Sequence, residues 1–223
     1  MNTAEPAAQR TALVAGGSGM VGGYLLEALL ASPAYARVIS LTRRPRPQPQ
    51  TQPPGKLVEI AANLLDLAPL GERLAADDVF CCLGTTTAKA GREGLEQVDH
   101  DMVVEFARAG RAAGARQFVV VSAIGTSATA PSFYARVKAR MEQDVAALGY
   151  PAVHILRPSL LMGPRGESRP AERFAQVVAP LLAPLMIGPL RPYRPVDAAQ
   201  VAQAMLRLAL APAQGMHIHY FRE

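Results

Sequence analysis

Apolar and polar positions follow two rhythms along this chain. TALVAG is a short apolar run that closes on glycines, and it gives way to YLLEALLAS, where Leu25, Leu26, Leu29 and Leu30 recur at the spacing of one helical face. Strand, glycine loop and helix are expected in that order. RVISLTRR, LVEIAANL, DVFCCLG, QFVVVSA and PAVHILRP are further apolar runs of strand length, rich in Val, Ile and Phe. Between them lie LAPLGERLA, the long amphipathic stretch VDHDMVVEFARAGRAAGA, and a helix carrying Tyr134 that is expected to end near the C-cap glycine Gly149. Strands that alternate with helices predict an α/β fold, a doubly wound parallel sheet covered on both faces.

Beyond Pro158 the pattern loosens into ERFAQVVAPLLAPL, a helix VDAAQVAQAMLRLAL with Asp197 as its N-cap, and HIHYF as an added strand. Residues 1–9 read as a frayed leader. The prolines of PRPQPQTQPPG, about residues 45–55, remove ladder donors and predict an extended surface loop, with a ligand for a Pro-binding module as the alternative. The stretch over about 159–195 is expected to form a small C-terminal cap on the substrate side. With 223 residues, 50% of them hydrophobic, and no break that separates two cores, one domain is expected.

Charge and cysteines narrow the partners. The net charge of +5 comes from arginines interleaved with acids, without a basic block, so no nucleic-acid partner is expected. The absence of an apolar run of about 18 residues, and of an apolar stretch in MNTAEPAAQR, predicts no membrane span, no signal peptide and a cytoplasmic protein. Cys81 and Cys82 are adjacent, a spacing of neither a redox pair nor a zinc site, and read as small apolar strand residues.

Gly16, Gly19 and Gly22, with Gly17 giving a second spelling of the motif, follow the first strand and open the first helix. Glycine there lets the backbone turn tightly and approach a pyrophosphate, which the unpaired N–H groups of the helix N-terminus attract. Ser18 adds a hydroxyl, and Met20 and Val21 begin the helix; a glycine turn without a ligand is the alternative. The second strand ends at Thr42-Arg43-Arg44, where a chain using a free 2′-hydroxyl would carry an acid. Two guanidinium groups suit a 2′-phosphate, so NADP is favoured over NAD, unless Arg43 and Arg44 are ordinary solvated arginines.

In a doubly wound sheet the ligand lies beyond the C-terminal strand ends. Asn63 and Leu64 are expected to end the third strand, Leu83, Gly84 and Thr85 the fourth, Ser122 the fifth, and Pro158 with Leu160 to follow the sixth. Tyr134 and Lys138 sit four apart on one helix face, so the ammonium can lie beside the phenol. A phenol must lose roughly 3 pKa units, about 4 kcal/mol, to act near neutrality, and one cation at ~4 Å in an effective dielectric of ~20 supplies about that. Packing of Tyr134 with a solvated Lys138 is the alternative. Ser122 could orient a carbonyl beside the phenol or be a plain strand-end serine. Asp99 and His100 are expected to cap a helix rather than relay protons, and His154 to pack in the core; His217 and His219 alternate on the last strand without a third metal ligand.

The glycine loop together with the Tyr-x-x-x-Lys helix resembles the short-chain dehydrogenase/reductase superfamily, in its atypical and extended branch. FCCLGTTTAKAGREGLEQVDHDMV, the Tyr134–Lys138 segment and LRPSLLMGPRGESRP look like the Tat-interacting-protein-like group of NAD(P)-binding proteins. The resemblance implies a Rossmann fold, NADPH held by the glycine loop and by Arg43 and Arg44, and Ser122, Tyr134 and Lys138 in the catalytic positions. Extended relatives often place their serine one residue later, where this chain has Ala123. An NADP-dependent oxidoreductase acting on a small carbonyl or quinone-like molecule is expected. The alternatives are an NADPH sensor that binds a protein partner or a second copy of itself, and an enzyme like the nucleotide-sugar epimerases.

Overall fold

A computed structural model of the chain describes residues 9–43, 55–163 and 194–221. Residues 1–8 of the expected leader, Arg44, most of the Pro-rich loop and most of the expected cap lie outside the described residues.

Seven strands form one parallel sheet, in the order β3-β2-β1-β4-β5-β6-β9. These are β1 (Arg10–Ala15), β2 (Tyr35–Thr42), β3 (Leu57–Ala61), β4 (Asp78–Cys81), β5 (Gln117–Val121), β6 (Ala152–Arg157) and β9 (Gly215–Tyr220). A small second pairing joins β7 (Leu161–Met162) to β8 (Val196–Asp197). The order reverses between β1 and β4, which makes the gap at their C-terminal ends the switch point of a Rossmann-like fold.

Period-two alternation sorts each strand's side chains onto two faces. Leu13, Ile39, Val79, Phe118, Val120 and Ile155 form one core with Val103, Phe106, Met141 and Val145 from α3 (Met102–Ala112) and α4 (Phe133–Ala146). Val14, Phe80, Val119 and Leu156 form the other, against α1 (Met20–Ala31) and α5 (Ala198–Leu210). All four leucines of the stripe expected on α1 are buried, and Asp197 caps α5 by accepting the Ala199 N–H at 2.7 Å.

Two expectations need correction. The third strand stops at Ala61, so Asn63 and Leu64 lie in the following turn, where the Asn63 side chain accepts the Leu65 N–H. The amphipathic stretch is not one helix capped at Asp99. It opens inside a π-helical turn over Gln97–Asp101, which joins α3 directly to a preceding helix, α2 (Thr87–Glu96). Asp99 has no exposure and sits inside a continuous run, where no helix end needs a cap; π turns of this kind occur frequently at functional sites.

Candidate functional site

The glycine loop fits a pyrophosphate on its own geometry. Gly16 adopts φ +83°, and a Cβ there would lie 2.6 Å from the Cys82 carbonyl carbon; one on Gly22 would lie 2.1 Å from the Gly16 oxygen. Only glycine lets β1, the loop and α1 close this tightly. The Gly19 N–H donates back to the Gly16 carbonyl at 2.9 Å, leaving Ser18 and Gly19 exposed at the apex. No side chain caps α1 and no acid stands in its first turn, so Met20 and Val21 begin a helix whose leading N–H groups and positive dipole end suit an anion.

The other expected cofactor contacts gather around the same edge. Register pairs Ala15 with Cys81, Cys81 with Val120 and Val121 with Leu156, so the segments after these strands emerge side by side. Gly84 is exposed, Leu83 and Thr85 are half-buried, Pro158 is buried and Leu160 is exposed. Leu64 is buried, whereas Asn63 and Arg43 are exposed.

Tyr134 is half-buried in the first turn of α4, and Lys138 is buried one turn on. The Lys138 ammonium donates to the Val121 carbonyl at 3.3 Å and lies 2.9 Å from Asp99 Oδ1. That contact is an ion pair rather than an aligned hydrogen bond, because Oδ1 has no hydrogen-bond partner among the described residues. Asp99 Oδ2 accepts the Thr85 N–H at 2.7 Å. A salt bridge from Arg140 to Glu96 and a hydrogen bond between His100 and Asp144 add further ties between α4 and the segment around the π turn.

The electrostatics differ from those expected of a tyrosine beside a lone lysine. Burial pushes the Tyr134 phenol above its ordinary 10; Lys138 pulls it down, and Asp99 pushes it up again. Burial alone would lower Lys138, but the Tyr134 and Asp99 charges outweigh it and hold the ammonium above 10.5. In this structure, then, Lys138 does not by itself bring the phenol toward neutrality. Sequence reasoning missed Asp99 as its partner, since 39 positions separate the two and only the π turn brings them together.

Ser122 has other partners. Its hydroxyl donates to Glu142 Oε1 in a short hydrogen bond and lies 3.5 Å from the Thr126 hydroxyl. Glu142 in turn receives Arg157 through both carboxylate oxygens, and Arg157 donates to the Tyr220 hydroxyl at 2.8 Å. The serine proton is engaged one helical turn beyond Lys138, so the expected role of orienting a carbonyl would require Ser122 to leave that network. An open surface groove of about 600 Å³, lined by His100, Asp101, Glu105, Arg108 and Asp144 among others, contains none of the expected site residues.

Comparison with known proteins shows the family and the fold. A family model described as NAD(P)H-binding matches residues 16–171. "Protein fmp52, mitochondrial" of Aspergillus clavatus is 37% identical over 206 residues, covering 90% of this chain and 87% of that protein. The protein of the same name from Aspergillus fumigatus is 35% identical over 90% of this chain and 87% of its own length. Among solved structures, MoeE5 in complex with UDP-glucose and NAD is similar at TM-score 0.70 and 20% identity, over 93% of this chain and 74% of that one. UDP-glucuronic acid 4-epimerase from Bacillus cereus in complex with NAD gives 0.67 and 16%, over 96% and 78%. At these identities the structural likeness shows the fold. The mitochondrial designation of the curated relatives overturns the cytoplasmic expectation, which rested on the lack of a membrane-length apolar run and of an apolar leader.

Proposed function

The chain belongs to the NAD(P)H-binding family, in the atypical branch of the short-chain dehydrogenase/reductase superfamily, and from that premise we propose that it is an NADPH-dependent reductase of a small carbonyl or quinone-like substrate. The observation that carries this reading is the half-buried Tyr134 phenol beside the buried Lys138, near the C-terminal strand ends that flank the glycine loop.

The loop from Gly16 to Val21 would hold the pyrophosphate, with Leu83, Gly84 and Thr85 along the cofactor's other side, and Arg43 with Arg44 on the 2′-phosphate. When bound, the nicotinamide supplies the hydride. Tyr134 holds the proton that the substrate oxygen takes up as it becomes a hydroxyl. Lys138 holds the phenol's charge in check and offers its remaining donor capacity to the nicotinamide ribose. Burial of both groups excludes water and strengthens their interaction.

Titration with NADPH and NADH by nicotinamide fluorescence tests the cofactor, and a carbonyl and quinone panel then tests turnover. A preference of about tenfold or more for NADPH that Arg43→Ala and Arg44→Ala each reduce is expected. Equal affinity for both cofactors contradicts the role of the arginines, and NADPH binding without turnover on the panel favours the sensor reading.

A further inference from the structure

Asp99 is a buried carboxylate that the proposed reduction does not use. It has no exposure, a near-contact with Lys138 at 2.9 Å and a hydrogen bond from the Thr85 N–H at 2.7 Å. We propose that Asp99 is a positioning residue, which fixes the Lys138 ammonium and the Thr85 amide at once and thereby sets how much of the lysine's charge reaches the Tyr134 phenol. This rests on the oxidoreductase reading of the same site.

A structural salt bridge alone would leave the carboxylate with its remaining lone pairs satisfied, since a buried ion pair gains little otherwise. Here Oδ1 faces the ammonium without an aligned hydrogen bond among the described residues, and a Cβ on Gly84 would sit 3.4 Å from that oxygen. The carboxylate therefore lies directly under the exposed segment expected to flank the cofactor. Among the described residues the charged or titratable groups around the phenol are few. They are Lys138 on its own helix, Asp99 on the π turn and Cys81 on β4, the last acting through Lys138. Glu142, a turn further on, is bound by Arg157 and Ser122, and His100 points outward to Asp101 and Asp144. Lysine and aspartate thus act on the phenol with opposite sign.

The test uses the full chain without cofactor. Tyrosinate formation is followed by ultraviolet absorbance, and subtraction of the Tyr134→Phe protein isolates the one phenol. Asp99→Asn keeps the shape and removes the charge, and is expected to lower the Tyr134 transition by about 1 pH unit. An unmoved transition in a folded Asp99→Asn protein overturns the proposal. If that variant does not fold, Asp99→Leu combined with Lys138→Met removes both charges. Its phenol should rise by less than in Lys138→Met alone, because the opposing push of Asp99 is lost together with the larger pull of the lysine; a rise as large as that of the single Lys138→Met protein overturns the proposal. Failure of the wild type to bind NADPH defeats the functional reading instead, and leaves the titration result standing.

Discussion

The N-terminal strand ends and the glycine-loop edge of the sheet treat buried polar groups in opposite ways. At the N-terminal strand ends every link is closed. Asp78 receives Arg10, the Tyr35 hydroxyl at 2.7 Å and the Gln117 amide at 3.0 Å, and Gln117 also donates to the Ala209 carbonyl. Because the Gln117 nitrogen is spent on donation, its oxygen must accept, which fixes His154 as the Nε2–H tautomer at 3.0 Å. His154 Nδ1 then accepts from His219, also at 3.0 Å. At the C-terminal ends Ser122, Glu142, Arg157 and Tyr220 are closed on one another, but around the glycine loop and the π turn the pattern is open. The loop apex is exposed, a helix end has no side-chain cap, and Asp99 keeps an unaligned acceptor. Satisfied networks stabilise and specify, whereas unsatisfied donors and charges are what a ligand can use.

The contrast predicts that damage at the two ends separates into loss of activity and loss of stability. Tyr134→Phe should lower turnover by about 10²–10⁴-fold, the usual worth of a general acid, with NADPH affinity unchanged. Steady-state kinetics beside fluorescence titration check both halves. Lys138→Met is the exception that sharpens the comparison, since it strands the Asp99 carboxylate in the interior and should cost about 3–5 kcal/mol in urea unfolding.

At the closed end, burial and the neighbouring His219 and His217 push His154 from its usual 6.5 to about 4. The unfolded imidazole takes up a proton before the folded one does, so the contribution is fully present above about pH 6.5. It is lost as pH falls toward about 4, up to about 3 kcal/mol, and is flat below that. Unfolding measured between these limits should slope accordingly, and His154→Phe should flatten it. Asp78→Asn weakens the charge-assisted bond from Arg10 and should cost about 1.5–3 kcal/mol by urea unfolding, with NADPH affinity unmoved.

The strands, α1, α4 and α5 were legible in the sequence because each carries its own periodicity, and the glycine loop because its chemistry is local. Asp99 was not. Its residue type and place before an amphipathic run suggest a cap, and only the π turn and the packing of α4 bring it under Lys138. The Glu142 grip on Ser122 and the pairing of His154 with His219 were equally hidden, as each joins segments distant in sequence. Periodicity reports which face of an element is buried, but not which residue of another element meets it.

The most direct measurement is a crystal structure of the chain with NADPH. The account predicts the pyrophosphate on the N–H groups that follow Gly16, and the nicotinamide within hydrogen-bonding reach of Lys138 and beside the Tyr134 hydroxyl. A cofactor bound elsewhere, or a nicotinamide out of contact with Tyr134, would contradict it.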